Sequence, residues 1–353
     1  MNPKALKYLA PIPVYILAFF AFFLHGWFTW GPMIYAWVLI PLAELFIRQD
    51  ARNMDAGEEE LAKKDRIYDY MLYLVVPLQY TALLYFLFSM KESGLAWWEI
   101  MGRIWTMGLL CGTFGINVAH ELGHRVNRFE QFLAKSLLLT SLYIHFFIEH
   151  NRGHHKHVAT PQDPGSARYN EPIYSFYFRT VILSYLSAWR IANEEMRKSN
   201  LPVFHLRNEM LQAQLIQIAF VILLFLLFGW AITLYFLIAA SIGALLLETV
   251  NYIEHYGLQR LKTMEGKYER ALPRHSWNSN HLLGRLMLFE LSRHSDHHYM
   301  ASRKYQLLKH HEDAPQLPTG YPGSMLLSLV PPVWFRIMNK RIRKIETNLS
   351  NKK

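Results

Sequence analysis

The chain has 353 residues, of which 52% are hydrophobic and 15% aromatic, and its formal net charge is +10. The single cysteine, Cys111, excludes an internal disulfide and a four-cysteine metal site. The apolar residues lie in long runs separated by charged stretches, which is typical of membrane proteins. Because lysine and arginine flank these runs, we attribute the basic charge to membrane topology and lipid contact, not to nucleic acid.

Six apolar runs each approach the ~20 residues that a helix needs to cross a bilayer. Lys4 and Lys7 precede the first run as in a signal peptide, but no small-residue cleavage site follows, so we expect this run to be retained. The sequence therefore predicts an all-α integral membrane protein with six transmembrane helices. The predicted spans are residues 12–30, 32–48, 69–90, 100–119, 212–229 and 231–250.

The longer links between the spans carry most of the charge, and they predict the orientation. By the positive-inside rule, basic residues between the second and third spans place both termini and all later long links in the cytoplasm. We expect residues 1–353 to form one unit, with a cytoplasmic cap made by residues 120–211 and 251–353. Tryptophans at the opposite ends of the spans suit an aromatic belt; these are Trp27, Trp30, Trp97, Trp98 and Trp230.

Three further amphipathic stretches are not assigned as spans. Residues 132–148 and 172–189 are interpreted as interfacial or re-entrant helices, because a crossing at either would put the histidines described next on opposite membrane faces. Residues 325–344 run from apolar into basic sequence. They suit a helix on the cytoplasmic leaflet or an ordinary helix packed on the cap.

Nine of the 17 histidines lie in four short segments. The first histidine box is His120–His124, the second is Glu149–His155, the third segment is Asn251–Gly257 with one histidine, and the last box is Arg293–His298. His120 and His124 are four residues apart, so they share a helix face, and His150 and His154 repeat that spacing. Neutral imidazole suits iron, zinc, copper or nickel. The predicted metal ligands are His120, His124, His150, His154, His155, His255, His294, His297 and His298.

Nine imidazoles exceed the needs of one ion, so the sequence predicts two metals. Ligating histidines usually donate their second N–H to a carboxylate or a carbonyl, and several acidic residues lie near the boxes. Glu248 and Glu254 are the strongest candidates for such roles or for catalysis, since Glu248 is ionisable near a span end. His145 is interpreted as a packed histidine, while His275 and His281 stay open.

At these segments the sequence strongly resembles the integral-membrane alkane 1-monooxygenase family, relatives of the membrane fatty-acid desaturases. The resemblance covers about residues 40–340 and includes the lone His255, which separates this family from the desaturases. Arg125 and Glu44 replace a common lysine and a common aspartate. The motifs that carry the resemblance are Asn117–His124, Glu149–His155 continuing to Pro161, Asn251–Leu258, His275–Asn278, Arg293–His298 and Arg303–Gln306.

The resemblance implies a non-heme diiron site that uses O2 to hydroxylate the terminal methyl of n-alkanes to primary alcohols. It also implies electrons from a separate rubredoxin, reduced by an NAD(P)H-dependent rubredoxin reductase, and residence in the bacterial inner membrane. The basic residues of the cap suit docking of an acidic carrier or contact with lipid. They are Arg125, Arg128, Arg152, Lys156 and Arg168.

Other functions stay open at this point. A related hydroxylase of alkylaromatic methyl groups and a fatty-acyl desaturase or hydroxylase are enzymatic alternatives, and a metal-binding or lipid-sensing membrane protein is a non-enzymatic one. An apolar substrate must reach the metals from lipid, through a tunnel beneath the cap. Trp37 on the second span is a candidate for its limiting wall, or else a packing or lipid-facing side chain.

Overall fold

A computed structural model describes residues 3–350, with side chains for residues 4–347, and its regular elements there are all helices. The predicted all-α fold is confirmed. In this part of the chain the strand-like pairings are two isolated bridges, Lys262 with Tyr268 and Asn278 with Gln316. The α-helices are Ile12–Phe23, Gly31–Ile34, Ile40–Phe46, Ala56–Lys64, Ile67–Ser89, Trp97–Leu110, Asn117–Gly123, Arg128–Leu139, His145–Glu149, His155–His157, Ile173–Lys198, Glu209–His255, Leu282–Met287, His294–Tyr299, Tyr321–Ser328 and Pro331–Ser350.

Shorter helical turns connect several of these helices. Pro3–Leu9, Gly26–Trp30, Pro273–His275 and Tyr305–Leu307 are 3-10 turns, and Tyr35–Leu39, Cys111–Ile116 and His150–His154 are π-helical. Within the described residues, four helical runs are long and apolar enough to cross a membrane. They are Lys4–Phe23, Gly26–Phe46, Ile67–Ser89 and Glu209–His255.

The first two predicted spans have the wrong boundary. We placed the break at Gly31 and Pro32, but the helical run continues through both residues from Gly26 to Phe46. Proline is tolerated there because it lies in the first turn of an α-helix, where its missing N–H has no partner to lose. The chain instead breaks at Leu24 and His25, which are extended, next to Gly26 with φ of 68°.

The last two predicted spans lie in one run, Glu209–His255, of 47 residues. At Gly229 the backbone leaves helical geometry, with φ of 80° and ψ of 175°. The sequence predicted a break at this position, and glycine supplies the positive φ without steric cost. The third predicted span agrees with Ile67–Ser89 to within two residues.

The fourth predicted span, 100–119, lies inside the helical run from Trp97 to Gly123, which is largely buried. The six-span count stays a prediction. The stretch 132–148 is broken after Arg128–Leu139 by a turn at Leu142, with φ of 51°, and 172–189 lies in the continuous helix Ile173–Lys198.

The chain divides into two compact units. The first contains the chain up to Val38, Asp65–Gly153 and Tyr185–Leu247. The second contains Leu39–Lys64, His154–Ser184 and the chain from Glu248 onward. The first unit holds most of the apolar helices, and the second holds most of the irregular polar segments.

Small residues let two helices of the first unit pack closely. A Cβ added at Gly108 would lie 2.6 Å from the Ile242 side chain, and one added at Gly112 would lie 2.8 Å from the backbone oxygen of Gly243. A Cβ on Gly243 would in turn lie 2.6 Å from Cys111. Small residues four apart are a common basis for close helix contact in membranes. This contact fixes the helical run that carries the first histidine box.

A buried carboxylate organises part of the second unit. Glu44 is 4% exposed and its Oε1 accepts from the backbone N–H of Gly284 at 2.9 Å. A side chain on Gly320 would collide with the same carboxylate. Glu44 therefore fits because Gly320 has no side chain, and its hydrogen bond to Gly284 joins it to the helix Leu282–Met287.

We predict that Gly243→Val destabilises the protein by about 1–3 kcal/mol, because added methyl groups at a closed helix contact must displace backbone. The measurement is thermal unfolding of the purified protein in detergent. Ser241→Val is the matched control, since Ser241 lies on the exposed side of the same helix and should leave the unfolding temperature nearly unchanged. Equal unfolding temperatures for the two variants would contradict the assigned contact.

Candidate metal centre

Three histidines of the first unit lie together. His120 and His124 belong to the helical turn Asn117–Gly123 and its C-cap, one turn apart as predicted. The Nε2 atoms of His124 and His150 are 3.2 Å apart, and the ring centroids of His120 and His150 are 4.4 Å apart. The ligand atoms of all three lie within 4.8 Å of one another. His120 and His124 therefore lie together as their spacing predicts, and their role as metal ligands stays a prediction.

The second histidine box departs from α-helical geometry. His150–His154 is a π-helical turn, whose backbone hydrogen bonds join residues five apart. His150 contacts His124, whereas His154 contacts His298. Although they are four residues apart, His150 and His154 therefore belong to different groups of neighbouring histidines, and their role as metal ligands stays a prediction.

Four histidines of the second unit converge on one point. His154, His255, His294 and His298 are all buried, and their ligand atoms lie within 4.8 Å of one another. The Nε2 atom of His298 is 2.9 Å from that of His294 and 3.3 Å from that of His154. The Nε2 atoms of His294 and His255 are 3.1 Å apart. We name these four residues the four-histidine group.

The second unit contains one further histidine pair. The Nε2 atoms of His155 and His297 lie 3.0 Å apart. Burial, and to a lesser extent the charge of the neighbouring His154, lowers the pKa of His155 to about 3. Burial also lowers the pKa of His298 well below its usual range. Both imidazoles are therefore neutral at physiological pH, which is the form that binds metal.

The geometry of the four-histidine group fits a metal ion. Imidazole nitrogens bound about 2.0–2.1 Å from one ion, at angles of about 90–109°, lie about 2.9–3.4 Å apart. The three measured Nε2 separations, 2.9, 3.1 and 3.3 Å, fall in this range. An all-imidazole donor set suits iron, zinc, copper or nickel. The donor chemistry and the spacing thus agree, although neither names the metal.

Asp163 determines the tautomer of His154. Its Oδ2 lies 2.9 Å from His154 Nδ1, so that nitrogen carries the proton and Nε2 presents its lone pair to the group. Burial raises the pKa of Asp163, but the adjacent His154 and the Ser166 hydroxyl lower it to about 2 overall. Ser166 Oγ donates to Asp163 at 2.5 Å and the Gly165 N–H at 3.0 Å. Asp163 is one of the acidic residues that lie near the boxes in the sequence, and the turn that folds it back onto His154 has no strong sequence signal.

Glu254 lies against another ligand of the same group. Glu254 Oε1 is 3.2 Å from His294 Nδ1, but the two atoms are not aligned for a hydrogen bond. The same oxygen accepts a hydrogen bond from the Tyr321 hydroxyl at 2.7 Å. Glu254 is 1% exposed. The sequence nominated Glu254 but missed Tyr321, which is 67 residues away in the chain.

Glu248, the other nominated carboxylate, has different contacts. Its Oε2 accepts from the Thr180 hydroxyl at 2.9 Å and from the Asn251 amide at 3.2 Å. Glu248 is 2% exposed. Its assignment to catalysis stays a prediction.

Asp296, the carboxylate of the last box, binds several neighbouring groups that stabilise the box. Asp296 is fully buried and pairs with Arg303 at 2.6 Å and with His311 at 2.7 Å. It also accepts from the backbone N–H of Lys309 at 2.9 Å. Asp296 thus fixes the short helix His294–Tyr299, which carries three of the nominated ligands.

The remaining nominated side chains are accounted for by other contacts. His275 lies 3.1 Å from Glu269, and burial lowers the pKa of His145 to about 4. Arg125 is buried and pairs with Glu121 at 2.6 Å. Arg152 Nη1 donates to both carboxylate oxygens of Glu195 at 2.6 Å, and its Nη2 donates to Glu209. The two arginines therefore stabilise the first unit and are weak candidates for docking a partner.

Comparison with known protein families agrees with this arrangement. The family model described as fatty acid desaturase matches residues 95–325, which include every histidine of the four segments. The chain is 38% identical to alkane 1-monooxygenase 2 of Pseudomonas aeruginosa over 94% of its own length and 91% of that protein. It is also 38% identical to alkane 1-monooxygenase of Pseudomonas putida, over 90% of its own length and 79% of that protein.

A more distant relative is the xylene/toluene monooxygenase hydroxylase component of Pseudomonas putida, at 28% identity over 69% of the chain and 64% of that protein. The higher identity and the longer coverage both favour the alkane 1-monooxygenases. The histidine segments, the apolar helices and these relationships together show that the chain belongs to the alkane 1-monooxygenase family, within the fatty acid desaturase family.

Proposed function

We propose that the protein is a non-heme diiron monooxygenase that hydroxylates the terminal methyl of n-alkanes to primary alcohols, with O2 as co-substrate. The observation that carries this proposal is the convergence of four buried imidazoles at spacings that suit one ion, in a chain 38% identical to an alkane 1-monooxygenase. The second ion is assigned to nominated histidines outside the four-histidine group. When bound, the two irons supply the activation of O2.

The residues of this chain would prepare the site in three ways. The imidazoles hold their Nε2 lone pairs toward the metal, and Asp163 keeps the proton of His154 on Nδ1. Glu254, supported by the Tyr321 hydroxyl, restrains the His294 ring. Burial of the four-histidine group excludes bulk water, which would otherwise compete for the open metal positions and for reactive species. Glu248, seven residues before His255 in the same helix, is retained as a candidate catalytic residue.

The substrate and the membrane location follow from the apolar helices. We propose a multi-pass protein of the bacterial inner membrane, with the metal site and both termini on the cytoplasmic side. An n-alkane has no polar group for recognition, so it must enter from lipid and be selected by shape. Trp37, in the π-helical turn Tyr35–Leu39, is retained as a candidate wall of that route.

Hydroxylation by O2 needs two electrons. Because the chain has one cysteine, it cannot itself form the four-cysteine iron site of a rubredoxin, and a partner must supply the electrons. We propose a separate rubredoxin, reduced by an NAD(P)H-dependent rubredoxin reductase. Since Arg125 and Arg152 are held in ion pairs, Arg128, Lys156 and Arg168 are the better candidates of the original five for docking it.

The metal assignment predicts that His154→Ala, His255→Ala, His120→Ala and His297→Ala each abolish hydroxylation and lower bound iron. Removal of one imidazole leaves an incomplete donor set while the other ligands stay in place. Iron per chain, measured by elemental analysis, is the readout. His205→Ala is the control, because His205 lies outside the nominated set. Full activity in any two of the four variants would refute the site.

The orienting role predicts that Asp163→Asn lowers iron affinity by roughly 10–100-fold, as is usual when such a partner of a metal-binding histidine is lost. Iron titration into the iron-free protein measures this change. Glu269→Gln is the matched control, because Glu269 contacts His275, which is outside the nominated ligands. An equal effect of the two variants would show that Asp163 acts only on stability.

Substrate class is tested by offering n-alkanes of several lengths together with an alkylarene to whole cells that contain the protein and a rubredoxin system. We expect primary alcohols of the alkanes as the main products in mass spectrometry. Predominant benzylic alcohol would favour an alkylaromatic hydroxylase, as the 28% identical relative suggests. A new double bond would favour a desaturase, and no substrate-stimulated O2 uptake would favour a protein without turnover.

A further inference from the structure

The second unit exposes a set of large apolar side chains on the helix Ile173–Lys198 and on the neighbouring segment 329–333. On Ile173–Lys198 these are Tyr174, Phe178 and Ile182, which are 51%, 75% and 56% exposed. The segment 329–333 contributes Leu329, Val330 and Val333, which are 40%, 50% and 42% exposed. The Tyr174 hydroxyl donates to the backbone oxygen of Leu329 at 2.8 Å, so the two segments are adjacent. We name these six residues the apolar patch.

Cations follow the apolar patch directly along the chain. In the helix Pro331–Ser350, Trp334, Met338 and Ile342 are buried against the second unit. Arg336, Lys340 and Arg343 are exposed, and their i, i+4 and i+7 spacing places them on one face. We name these three residues the basic face.

The basic face lines a shallow groove of about 370 Å³ together with Phe335 and Asn339. The groove has a rigid side, because Asn339 accepts from the Tyr256 hydroxyl at 2.9 Å and donates to Asn170 at 2.7 Å. No acidic side chain lines it among the described residues.

The basic face differs from the other cations of the second unit. Several of those are neutralised by carboxylates, among them Lys309 with Glu59, Arg303 with Asp296, Arg274 with Glu269 and Arg179 with Glu171. Within residues 4–347, Arg336, Lys340 and Arg343 form no ion pair with a carboxylate. Three like charges on one helix face repel one another and are unfavourable unless a counter-charge is supplied from outside.

We propose that the basic face and the apolar patch form a binding site for anionic phospholipid, which holds the second unit against the surface of the membrane. The phosphate of the headgroup would lie in the groove, and the apolar patch would contact the acyl region. A helix that combines exposed apolar side chains with adjacent cations is suited to the membrane interface. The second unit also contains the ends of two apolar runs, at Phe46 and His255, so the chain connects it directly to segments that can cross the membrane.

Lipid is preferred over a protein partner as the occupant for two reasons. An exposed apolar patch beside cations matches both parts of a phospholipid, whereas an acidic protein would match only the cations. The chain also carries helices able to cross a membrane, so anionic lipid is present at high local concentration.

The test is native mass spectrometry of the full-length protein in a neutral detergent, titrated with phosphatidylglycerol or phosphatidylcholine. In the variant R336Q/K340Q/R343Q we expect phosphatidylglycerol binding to weaken by roughly five-fold per charge removed, or about 100-fold in all. Phosphatidylcholine binding should change little, since its headgroup has no net charge. The control variant K262Q/K267Q/R270Q removes the same charge from an exposed loop of the same unit and should bind phosphatidylglycerol like the parent protein.

A second variant tests the apolar half of the site. F178N/V333N should weaken binding of both lipids, because acyl contact does not depend on headgroup charge. Circular dichroism and iron content, which should match the parent protein in every variant, separate a lost lipid site from a lost fold or metal centre. Unchanged phosphatidylglycerol binding in R336Q/K340Q/R343Q, or an equal loss in the loop control, would overturn the proposal. If these variants keep lipid binding but lose a dimer, the surface would instead bind a second copy of the chain, and the proposal would be overturned. If they keep lipid binding but receive electrons more slowly, the surface would instead bind an acidic protein, with the same consequence.

Discussion

The structure depends on the close burial of imidazole nitrogens in the four-histidine group. In the four-histidine group, neighbouring Nε2 atoms are 2.9–3.3 Å apart, and Asp163 holds the only proton of neutral His154 on the opposite ring nitrogen. Polar nitrogens buried this close together need a partner, and a bound cation would supply one. The buried acids of the second unit, Asp163, Glu254 and Asp296, can be understood as means of holding this arrangement.

Each unit holds its histidine-bearing segments in place by its own local contacts. In the first unit, close packing at Gly108, Gly112 and Gly243 positions the helical run that ends in His120 and His124. In the second unit, Asp296 fixes the short helix of the last box, Glu44 accepts from the Gly284 N–H, and the Tyr321 hydroxyl contacts Glu254. Each of these supports is a buried polar group or a glycine contact, so its removal should act on the metal site through position and not through chemistry.

The sequence was sufficient for the helical class, for the break at Gly229 and for the identity of the histidines that converge. Hydrophobic run length and short-range histidine spacing carry those features, and both are local. Local rules failed where the backbone left regular geometry. The break at Leu24 and His25 has no proline, and the second box forms a π-helical turn, His150–His154, in place of a regular α-helical turn. Contacts such as Tyr321 with Glu254 join residues far apart in the chain, so no periodic pattern can reveal them.

The central claim is that the nine histidines bind two irons through nitrogen ligands. X-ray absorption at the iron edge, combined with iron and protein quantification on the full-length protein purified in detergent, tests it most directly. The account predicts close to two irons per chain, each surrounded by nitrogen and oxygen at about 2.0–2.2 Å, with no sulfur neighbour. One iron or fewer per chain in active protein, a sulfur ligand, or full activity with another metal in place of iron would contradict it.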